Sequence, residues 1–569
     1  MSRRRGKRMA KINKITMATI LLLITVIFVL SLGLSANFRG TYHRNLLQKS
    51  ASDKINLACQ ASQYPELCRS SLSQSTLITP NSSPEEIISA AMILSYDGTQ
   101  KSYLQAENLA HLSSNANYTA AVRDCLDFLD GSMRYIGKSR GGLKSIDQNK
   151  VKDSKAWMSA ALTYQYDCSS ALKYVNTTKE VGSAMEQLVT VTWLTSNALS
   201  MLDALDTYGE NMVIWKPPTT ERSTRSSIDG HWGNSIPNSK DYSKNIWGVL
   251  AGEDMVPNVT VSKDGSLTSI QQAVDSAPDD SEKRFVIYIK GGVYEENVRI
   301  PPKKVNVMFV GDGIDTTVIT GSMSVPSLPA PVTTYGSATV AVNADGFMAR
   351  DITFQNSAGP DSHQAVALRV DGDLSAFHNC AILGHQDTLY THSLRQFYKN
   401  CRIEGTIDFI FGNSAAIFEN CLILVRPRQL QAKKGWSNPV TAQGRTDPAM
   451  STGLVFQNCI INGTEEYMRD LHENPKIYKA YLGRPWKMYS RTIFMNSFLG
   501  ELISPEGWMP WNGNFALDTL YYGEYQNYGP GAKLSGRVSW SNQVPEKNVG
   551  IYSVQSFIQG DEWPTATTD

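Results

Sequence analysis

The segment 384–412, GHQDTLYTHSLRQFYKNCRIEGTIDFIFG, decides the predicted fold. It holds two aspartates, Asp387 and Asp408, that no single helix would bring together. A short phrase of Phe, one or two further residues, Asn and then Cys or Ser recurs here, with its third copy starting at Phe397 and its asparagines at Asn356, Asn379, Asn400, Asn420, Asn458 and Asn496. These asparagines are 23, 21, 20, 38 and 38 residues apart, so three intervals fit one turn of a coil and two also hold an insertion. The repeat predicts a right-handed parallel β-helix.

The phase of the repeat places three polar side chains together. The residues that lie eight positions after successive repeat asparagines are Gln364, Asp387 and Asp408. We expect them to stack at one position of three consecutive turns, about 4.8 Å apart. Aspartate also favours turns, but both of these lie in apolar sequence, which is unusual for turn residues. Two crowded, partly desolvated carboxyls would have pKa values driven apart, which leaves one proton donor and one anion.

Length and composition limit the possible classes of protein. A chain of 569 residues is too long for one ordinary core, so two domains are expected. A net charge of +1 lacks the basic excess that marks nucleic-acid binding. Eight cysteines indicate an oxidising compartment. Five glycosylation sequons agree with that, at Asn81, Asn117, Asn176, Asn258 and Asn462.

The N-terminal region, 1–40, predicts entry into the secretory pathway. Seven Arg and Lys side chains in 2–14 precede an uncharged apolar run at 15–34, which is just long enough to span a bilayer. The positive cluster would keep the N-terminus cytoplasmic. A cleaved signal and a retained type II anchor both fit, with secretion to the cell wall or the outside as the expected destination.

Three further segments complete the chain. Apolar residues at helical spacing predict an all-α four-helix bundle with a short leading hairpin over 56–205. Its cysteines would pair as Cys59 with Cys68 and Cys125 with Cys168. Proline, serine and charge mark an exposed linker over 206–255. Short β runs separated by Gly and Asn indicate the β-helix domain over 256–560, with one helix at 269–276 covering its open end.

The β-helix sequence closely resembles the plant pectin methylesterases. The resemblance rests on five short stretches in order, at 292–296, 364–368, 384–389, 408–412 and 482–486, the last reading LGRPW. The helical region with its two cysteine pairs resembles the inhibitor domain of that family. The family implies hydrolysis of the methyl esters of homogalacturonan, a pectin polysaccharide, to methanol and free carboxylates. We expect a monomer, with contact between the inhibitor-like and catalytic domains within one chain or between chains.

The resemblance also implies catalytic roles for the stacked residues. Asp408 would attack the ester carbonyl and form a covalent acyl intermediate. Asp387 would protonate the departing methanol and then take a proton from water. The amides of Gln364 and Gln386 would donate to the tetrahedral oxyanion. Arg484 would hold Asp408 ionised and lower its pKa.

Substrate contacts are implied at Gln364, Arg484, Trp486 and Thr339, with the Trp486 ring as a flat face for a sugar. Each role has a structural alternative: Arg484 would be a surface ion pair, Trp486 a core residue, and Gln386 would face away from the reaction. A structural role is favoured for four histidines, His363, His378, His385 and His392. No cluster of His and Cys has metal-ligand spacing, so no metal or cofactor is required.

Cys401 and Cys421 lie on successive turns, where a disulfide would fit. Cys380 and Cys459 are either paired or buried free thiols of the same stack. The family often carries a basic processing motif before the catalytic domain, whereas 206–255 has no adjacent basic pair, which puts removal of the helical domain in doubt.

Two other functions compete with ester hydrolysis. A glycan-cleaving β-helix hydrolase or lyase would also use carboxylates, but it needs no pair of amides at an oxyanion. A non-catalytic inhibitor or binding protein would not need the set of carboxyl, amide and guanidinium groups.

Overall fold

The computed structural model describes residues 50–143, 147–175, 178–221, 256–325, 332–428 and 436–563. The predicted basic tail and apolar run, the sequon at Asn176 and the linker residues 222–255 lie outside these ranges. Within the described ranges, no helix has the length and apolar character needed to cross a bilayer.

The N-terminal region is helical. Its six described helices are α1 Ala51–Cys59, α2 Pro65–Leu72, α3 Pro84–Ala110, α4 Ala116–Gly142, α5 Gln148–Lys173 and α6 Lys179–Tyr208. The predicted count of four therefore describes only the long helices. Helix α3 begins with a capping box, in which the Ser83 hydroxyl accepts from the Glu86 N–H and the Glu86 carboxylate accepts from the Ser83 N–H.

Two disulfides join helices of this region, and both were predicted from the sequence. Cys59–Cys68 links α1 to α2, and Cys125–Cys168 links α4 to α5. The first part of the predicted linker is not free in solvent. Glu221, at its end, forms ion pairs with Arg445 and Arg491 of the second domain.

The second domain is a coil of short strands in three sheets, and each described strand pairing between neighbouring turns is parallel. The eleven-stranded sheet contains Val259–Val261, Phe285–Ile289, Val307–Gly311, Met348–Arg350, Ser375–His378, Arg395–Lys399, Ala415–Glu419, Gly453–Gln457, Arg491–Met495, Tyr521–Tyr525 and Asn542–Gln543. The eight-stranded sheet contains Gly292–Glu295, Thr317–Gly321, Thr353–Asn356, Ala381–Leu383, Arg402–Gly405, Leu422–Val425, Ile460–Gly463 and Phe498–Leu499. The seven-stranded sheet contains Val298–Ile300, Val340–Val342, Leu368–Val370, Leu389–Thr391, Ile410–Gly412, Trp436–Gln443 and Tyr478–Pro485.

Short helices complete the domain. They are α7 Ile270–Ser276, α8 Glu465–Glu473 and α9 Val554–Ile558. The predicted helix at 269–276 is α7, with Ser269 as its N-cap. Its apolar residues Ile270, Ala273 and Val274 are buried in the core of the first turns.

The repeated asparagine occupies a left-handed corner of the coil. Asn379, Asn400, Asn420, Asn458 and Asn496 have φ between 48° and 54°. Asparagine tolerates this conformation better than most residues, which explains why it recurs once per turn.

An aromatic column runs inside the coil two residues before these corners. Its rings are Phe377, Tyr398, Phe418, Phe456 and Phe494, stacked with centroids 4.4–4.9 Å apart. The prediction that Phe397 starts the third copy of the phrase was therefore wrong. Tyr398 pairs with Phe377 and Phe418 because strand register, rather than residue type, selects the column.

The predicted disulfide between Cys401 and Cys421 is not formed. Both are buried free thiols, as are Cys380 and Cys459. In-register parallel strands direct equivalent Cβ atoms the same way, whereas a disulfide needs the two Cβ atoms to approach within about 3.5–4.5 Å. Each thiol instead donates to a backbone carbonyl of the preceding turn, as Cys421 Sγ does to Tyr398 O at 3.5 Å.

Helices α4, α5 and α6 pack on the seven-stranded sheet near the ends of its strands. The polar contacts of this interface include Tyr135 with Asp345, Asp153 with Arg395, Trp157 with Asp373, Thr163 with Asn413, Asp167 with His392 and Ser196 with Asp447. The ring of Phe128 packs on Tyr335 with centroids 4.5 Å apart. The two domains thus share one continuous apolar cluster.

We expect Phe418→Ala to lower the free energy of unfolding of the β-helix by about 3–5 kcal/mol, because Phe418 is fully buried between two stacked rings. Urea denaturation followed by near-ultraviolet circular dichroism measures this. Phe515→Ala is the control, since Phe515 is 37 % exposed. Equal losses for the two variants would contradict a stabilising aromatic column.

Candidate active site

The two predicted aspartates are neighbours on adjacent turns. Leu389 pairs with Ile410, and Asp387 and Asp408 each lie two residues before this pair. The Asp387 N–H donates to the Ile407 carbonyl at 3.2 Å, which ties the two corners together. Both aspartates have positive φ and little exposed surface, so each is a buried corner residue.

The two glutamines also lie side by side, but with a different register from the predicted one. A parallel bridge pairs Gln364 with Gln386, one residue before Asp387. The prediction that Gln364 shares a position with Asp387 was therefore wrong by one residue. The strands after this bridge pair Leu368 with Leu389, so one turn gains a residue between the bridge and the strand. Neither amide has a hydrogen-bond partner among the described residues, so both are available to a ligand.

Arg484 holds Asp408 with two hydrogen bonds. Its Nε donates to Asp408 Oδ1 at 2.9 Å and its Nη2 to Oδ2 at 2.6 Å. The guanidinium lies 4.3 Å from the centroid of the Trp511 ring. Sequence reasoning missed Trp511, because nothing in its own sequence relates it to LGRPW. This contact helps to fix the plane of the guanidinium and hence the orientation of Asp408.

The environments of the two carboxyls separate their acidities. Burial raises the pKa of Asp387 well above its usual range, the charge of Asp408 raises it further, and Arg484 opposes the rise. Burial also raises the pKa of Asp408, although the hydrogen bonds and charge of Arg484 work against it. The expectation that Arg484 leaves the Asp408 pKa lowered was wrong, because desolvation exceeds the ion pair. Asp387 remains the more readily protonated of the two.

The other predicted residues lie in varied surroundings. Thr339 is fully buried and its hydroxyl donates to Gln355 O at 2.9 Å. The predicted sugar contact at Thr339 stays a prediction. Burial lowers the pKa of His385 to about 4, and this histidine is neutral. His378 has a lowered pKa for the same reason.

The aromatic surface beside the carboxyls is covered by the helical region. Tyr390 and Phe411 are stacked 4.2 Å apart, and Trp486 packs edge-on to both. Tyr166 and Asp167 of α5 line the same small cavity as Tyr390 and Trp486. Trp486 therefore shares a cavity with a helix at the position where a sugar was expected.

Family models place the chain that forms this site among the carboxylic ester hydrolases that act on pectin. Residues 258–561 match the model described as Pectinesterase, and residues 53–201 match that described as Plant invertase/pectin methylesterase inhibitor. The chain belongs to the pectinesterase family, with an inhibitor-like domain before the catalytic domain.

Two similar proteins are named for both a pectinesterase and its inhibitor, and a solved structure matches part of the chain. The chain is 48% identical over 521 residues to Probable pectinesterase/pectinesterase inhibitor 64 of Arabidopsis thaliana, covering 90% of this chain and 85% of that protein. It is 38% identical to Pectinesterase/pectinesterase inhibitor U1 of Solanum lycopersicum, over 99% and 96% of the two chains. The solved pectin methylesterase from carrot is 50% identical with a TM-score of 0.52, covering 56% of this chain and 98% of that one.

We expect Asp387→Asn to stabilise the protein increasingly as the pH rises. The folded state holds the Asp387 proton to a higher pH than the unfolded chain does, so this carboxyl costs stability as the pH rises from about 4, its unfolded pKa, to its folded pKa. Asparagine does not titrate, so the variant should exceed the native chain by at least ~1 kcal/mol at pH 8 and match it near pH 4. Urea unfolding at several pH values measures the difference. Asp264→Asn, at an exposed position, is the control, and a pH-independent difference for Asp387→Asn would contradict the raised pKa.

Proposed function

We propose that this chain hydrolyses the methyl esters of homogalacturonan by attack of Asp408, and that its helical domain suppresses the reaction in the intact chain. The observation that carries the mechanism is the unequal environment of two adjacent carboxyls. Arg484 orients Asp408 as the anion, while Asp387 has the larger upward pKa shift and so keeps its proton. The pairing of Gln364 and Gln386 beside them supports ester chemistry over glycosidic cleavage.

The steps balance with these groups alone. A carboxylate oxygen of Asp408 attacks the ester carbon, and the carbonyl oxygen becomes an oxyanion that accepts from the Gln364 and Gln386 amides. The oxyanion collapses, the bond to the methoxy oxygen breaks, and Asp387 supplies the proton that releases methanol. Water then attacks the acyl carbon while Asp387 takes its proton, which frees the galacturonate carboxylate and restores Asp408.

Suppression is expected from the position of the helices. Helix α5 covers the rings of Tyr390 and Trp486, where a polysaccharide would have to lie. The interface includes ion pairs to buried cations, such as that of Asp153 with Arg395 at 2.5 Å. The contact between the helices and the β-helix also supports inhibition within one chain. The helical face that packs on the β-helix of its own chain is not accessible to another esterase.

The organisation and location of the protein are part of the same proposal. We divide the chain into an N-terminal targeting segment at 1–40, an inhibitor-like domain with four long helices at 56–205, a linker at 206–255 and a right-handed catalytic coil at 256–560. The family-model matches support the two domains, and the usual handedness of parallel crossovers supports the right-handed coil. Residues 15–34 would direct the chain to the cell wall, and two disulfides suit that compartment. We propose that the chain acts as a monomer.

We expect Asp408→Asn to lower methanol release from methylated pectin by at least ~10³-fold, because the amide is a poor nucleophile. Gas chromatography of methanol measures it in the full chain before and after cutting at a protease site inserted into 222–255. Asp315→Asn is the control, since that side chain is 76% exposed. Undiminished release from Asp408→Asn would remove Asp408 from the mechanism.

We expect Asp153→Lys to raise methanol release from the uncut chain severalfold, because it sets a positive charge against buried Arg395 at the domain interface. The same assay measures it. Asp97→Lys makes the same charge change at an exposed position of α3, outside the interface contacts described above. No difference between these two variants, together with equal rates before and after cutting, would contradict suppression by the docked helices.

A further inference from the structure

One acidic side chain of the helical region lies against a groove of the esterase domain. The groove is the surface lined by Tyr390, His392, Trp486 and Lys487. Asp167 of α5 accepts a hydrogen bond from His392 Nε2 at 2.9 Å and is largely shielded from solvent, with 14% of its side chain exposed. It shares its small cavity with Tyr390, Trp486 and Lys487 of the esterase domain. A carboxylate, two aromatic rings and two basic side chains therefore meet at one point.

The esterase domain itself prepares His392 for an anion. Asp371, fully buried behind the ring, lies 2.6 Å from His392 Nδ1 and also pairs with Arg369. Burial alone would lower the pKa of His392, but Asp371, with the help of Asp167, raises it to about 9. Because Asp371 belongs to the β-helix domain, this ion pair does not depend on the helices.

Lys487 supplies the second positive charge. It follows Trp486, and its ammonium lies 5.0 Å from the centroid of that ring. Burial lowers the pKa of Lys487, and the charge of Asp167 opposes that shift. The charged form of a partly desolvated lysine is stabilised when a carboxylate lies beside it and destabilised when the groove is empty.

The rings around these cations suit a sugar. Tyr390 and Trp486 line the groove, and Phe411 stacks on Tyr390 with Trp486 edge-on to it. Flat rings bind the apolar face of a pyranose, and charged hydrogen bonds bind a carboxylate. A uronic acid in its free form presents both features, whereas a methyl-esterified unit lacks the charge.

The position of this groove relative to the catalytic pair fits one polymer. His392 lies five residues after Asp387 along the same turn of the coil. At about 3.3 Å per residue the two positions are at most ~16 Å apart, so a single oligosaccharide would reach both.

We propose that His392 and Lys487 form a subsite for the free carboxylate of an already de-esterified galacturonate unit, and that Asp167 occupies this subsite in the intact chain. The proposal rests on the proposed function and adds a preference within it. An ester near an existing free acid is attacked in preference to one in a fully methylated stretch. Free-acid oligomers likewise compete with α5 for the groove.

The test compares the affinities of two probes, a galacturonate hexamer with all acids free and the same hexamer fully methyl-esterified. All variants are made in the full chain with a protease site inserted into 222–255 and cut after purification, so that both halves fold before they separate. Calorimetric titration gives the ratio of the two affinities. Thermal unfolding checks that each variant is folded.

We expect Lys487→Met to lower the preference for the free-acid hexamer about 10-fold, and Lys487→Arg to restore most of it. His392→Gln should lower it similarly. Lys479→Met is the matched control, because Lys479 is an exposed lysine near the start of the strand Tyr478–Pro485, whose end precedes Lys487 by two residues. Its preference ratio should stay unchanged. An unchanged ratio in Lys487→Met and in a folded His392→Gln would overturn the subsite, as would equal losses for the two hexamers.

The second part of the proposal is tested at Asp167. For this test the chain is left uncut, so that α5 stays docked: we expect Asp167→Asn to raise the affinity for the free-acid hexamer about 10-fold, and Lys487→Met in that background to remove the gain. No gain in Asp167→Asn would show that Asp167 does not occupy the subsite. Methanol release from methylated pectin is measured in parallel. Its absence from every variant would refute the proposed esterase function, whereas the hexamer affinities report on the subsite alone.

Discussion

The structure depends on in-register parallel stacking of turns that are nearly equal in length. Because each turn repeats the backbone path of the one before, side chains at equivalent positions form columns: asparagines with positive φ at the corner and aromatic rings inside. The same constraint places Asp387 beside Asp408, although two adjacent carboxyls in a buried setting repel one another. The columns on both sides of these corners fix a geometry that the carboxyls themselves oppose, so the stability of the coil offsets the cost of the site.

Desolvation, more than the ion pair, sets the chemistry of the site. A carboxylate gripped by two hydrogen bonds from Arg484 would have a low pKa at a protein surface, yet that of Asp408 is raised because the corner is buried. A raised pKa goes with a more basic and less hydrated oxygen, which is a better nucleophile than a solvated carboxylate. Burial raises the pKa of Asp387 more, since it has no guanidinium of its own. One environment would thus supply both the acid and the nucleophile of the proposed mechanism.

Periodicity in the sequence was sufficient to predict the coil, but register within a turn was beyond its reach. The asparagine spacing predicted the coil and the neighbouring aspartates, because the left-handed corner conformation favours asparagine. The spacing misplaced Gln364 by one residue, because one added residue in a turn leaves the asparagine spacing almost unchanged. It also selected Phe397 instead of its aromatic neighbour Tyr398, because either ring fits the spacing. Successive cysteines predicted a disulfide, but side-chain direction decides that, and counting residues does not give it. The contact of Asp167 with His392 joins two domains, and the sequence of neither domain alone predicts it.

The β-helix surface at the interface has features that suit it both with and without the helical domain bound. Its buried cations have partners within their own domain, since Arg395 pairs with Asp373 and Arg369 with Asp371, each at 2.7 Å. Removing the helices therefore leaves these two cations paired, whereas an unpaired buried charge would cost several kcal/mol. What becomes exposed instead is an aromatic strip around Tyr390, and an apolar patch of this kind on a soluble domain usually binds something. A permanent interface needs neither property, whereas a surface that alternates between a helix and a polysaccharide needs both.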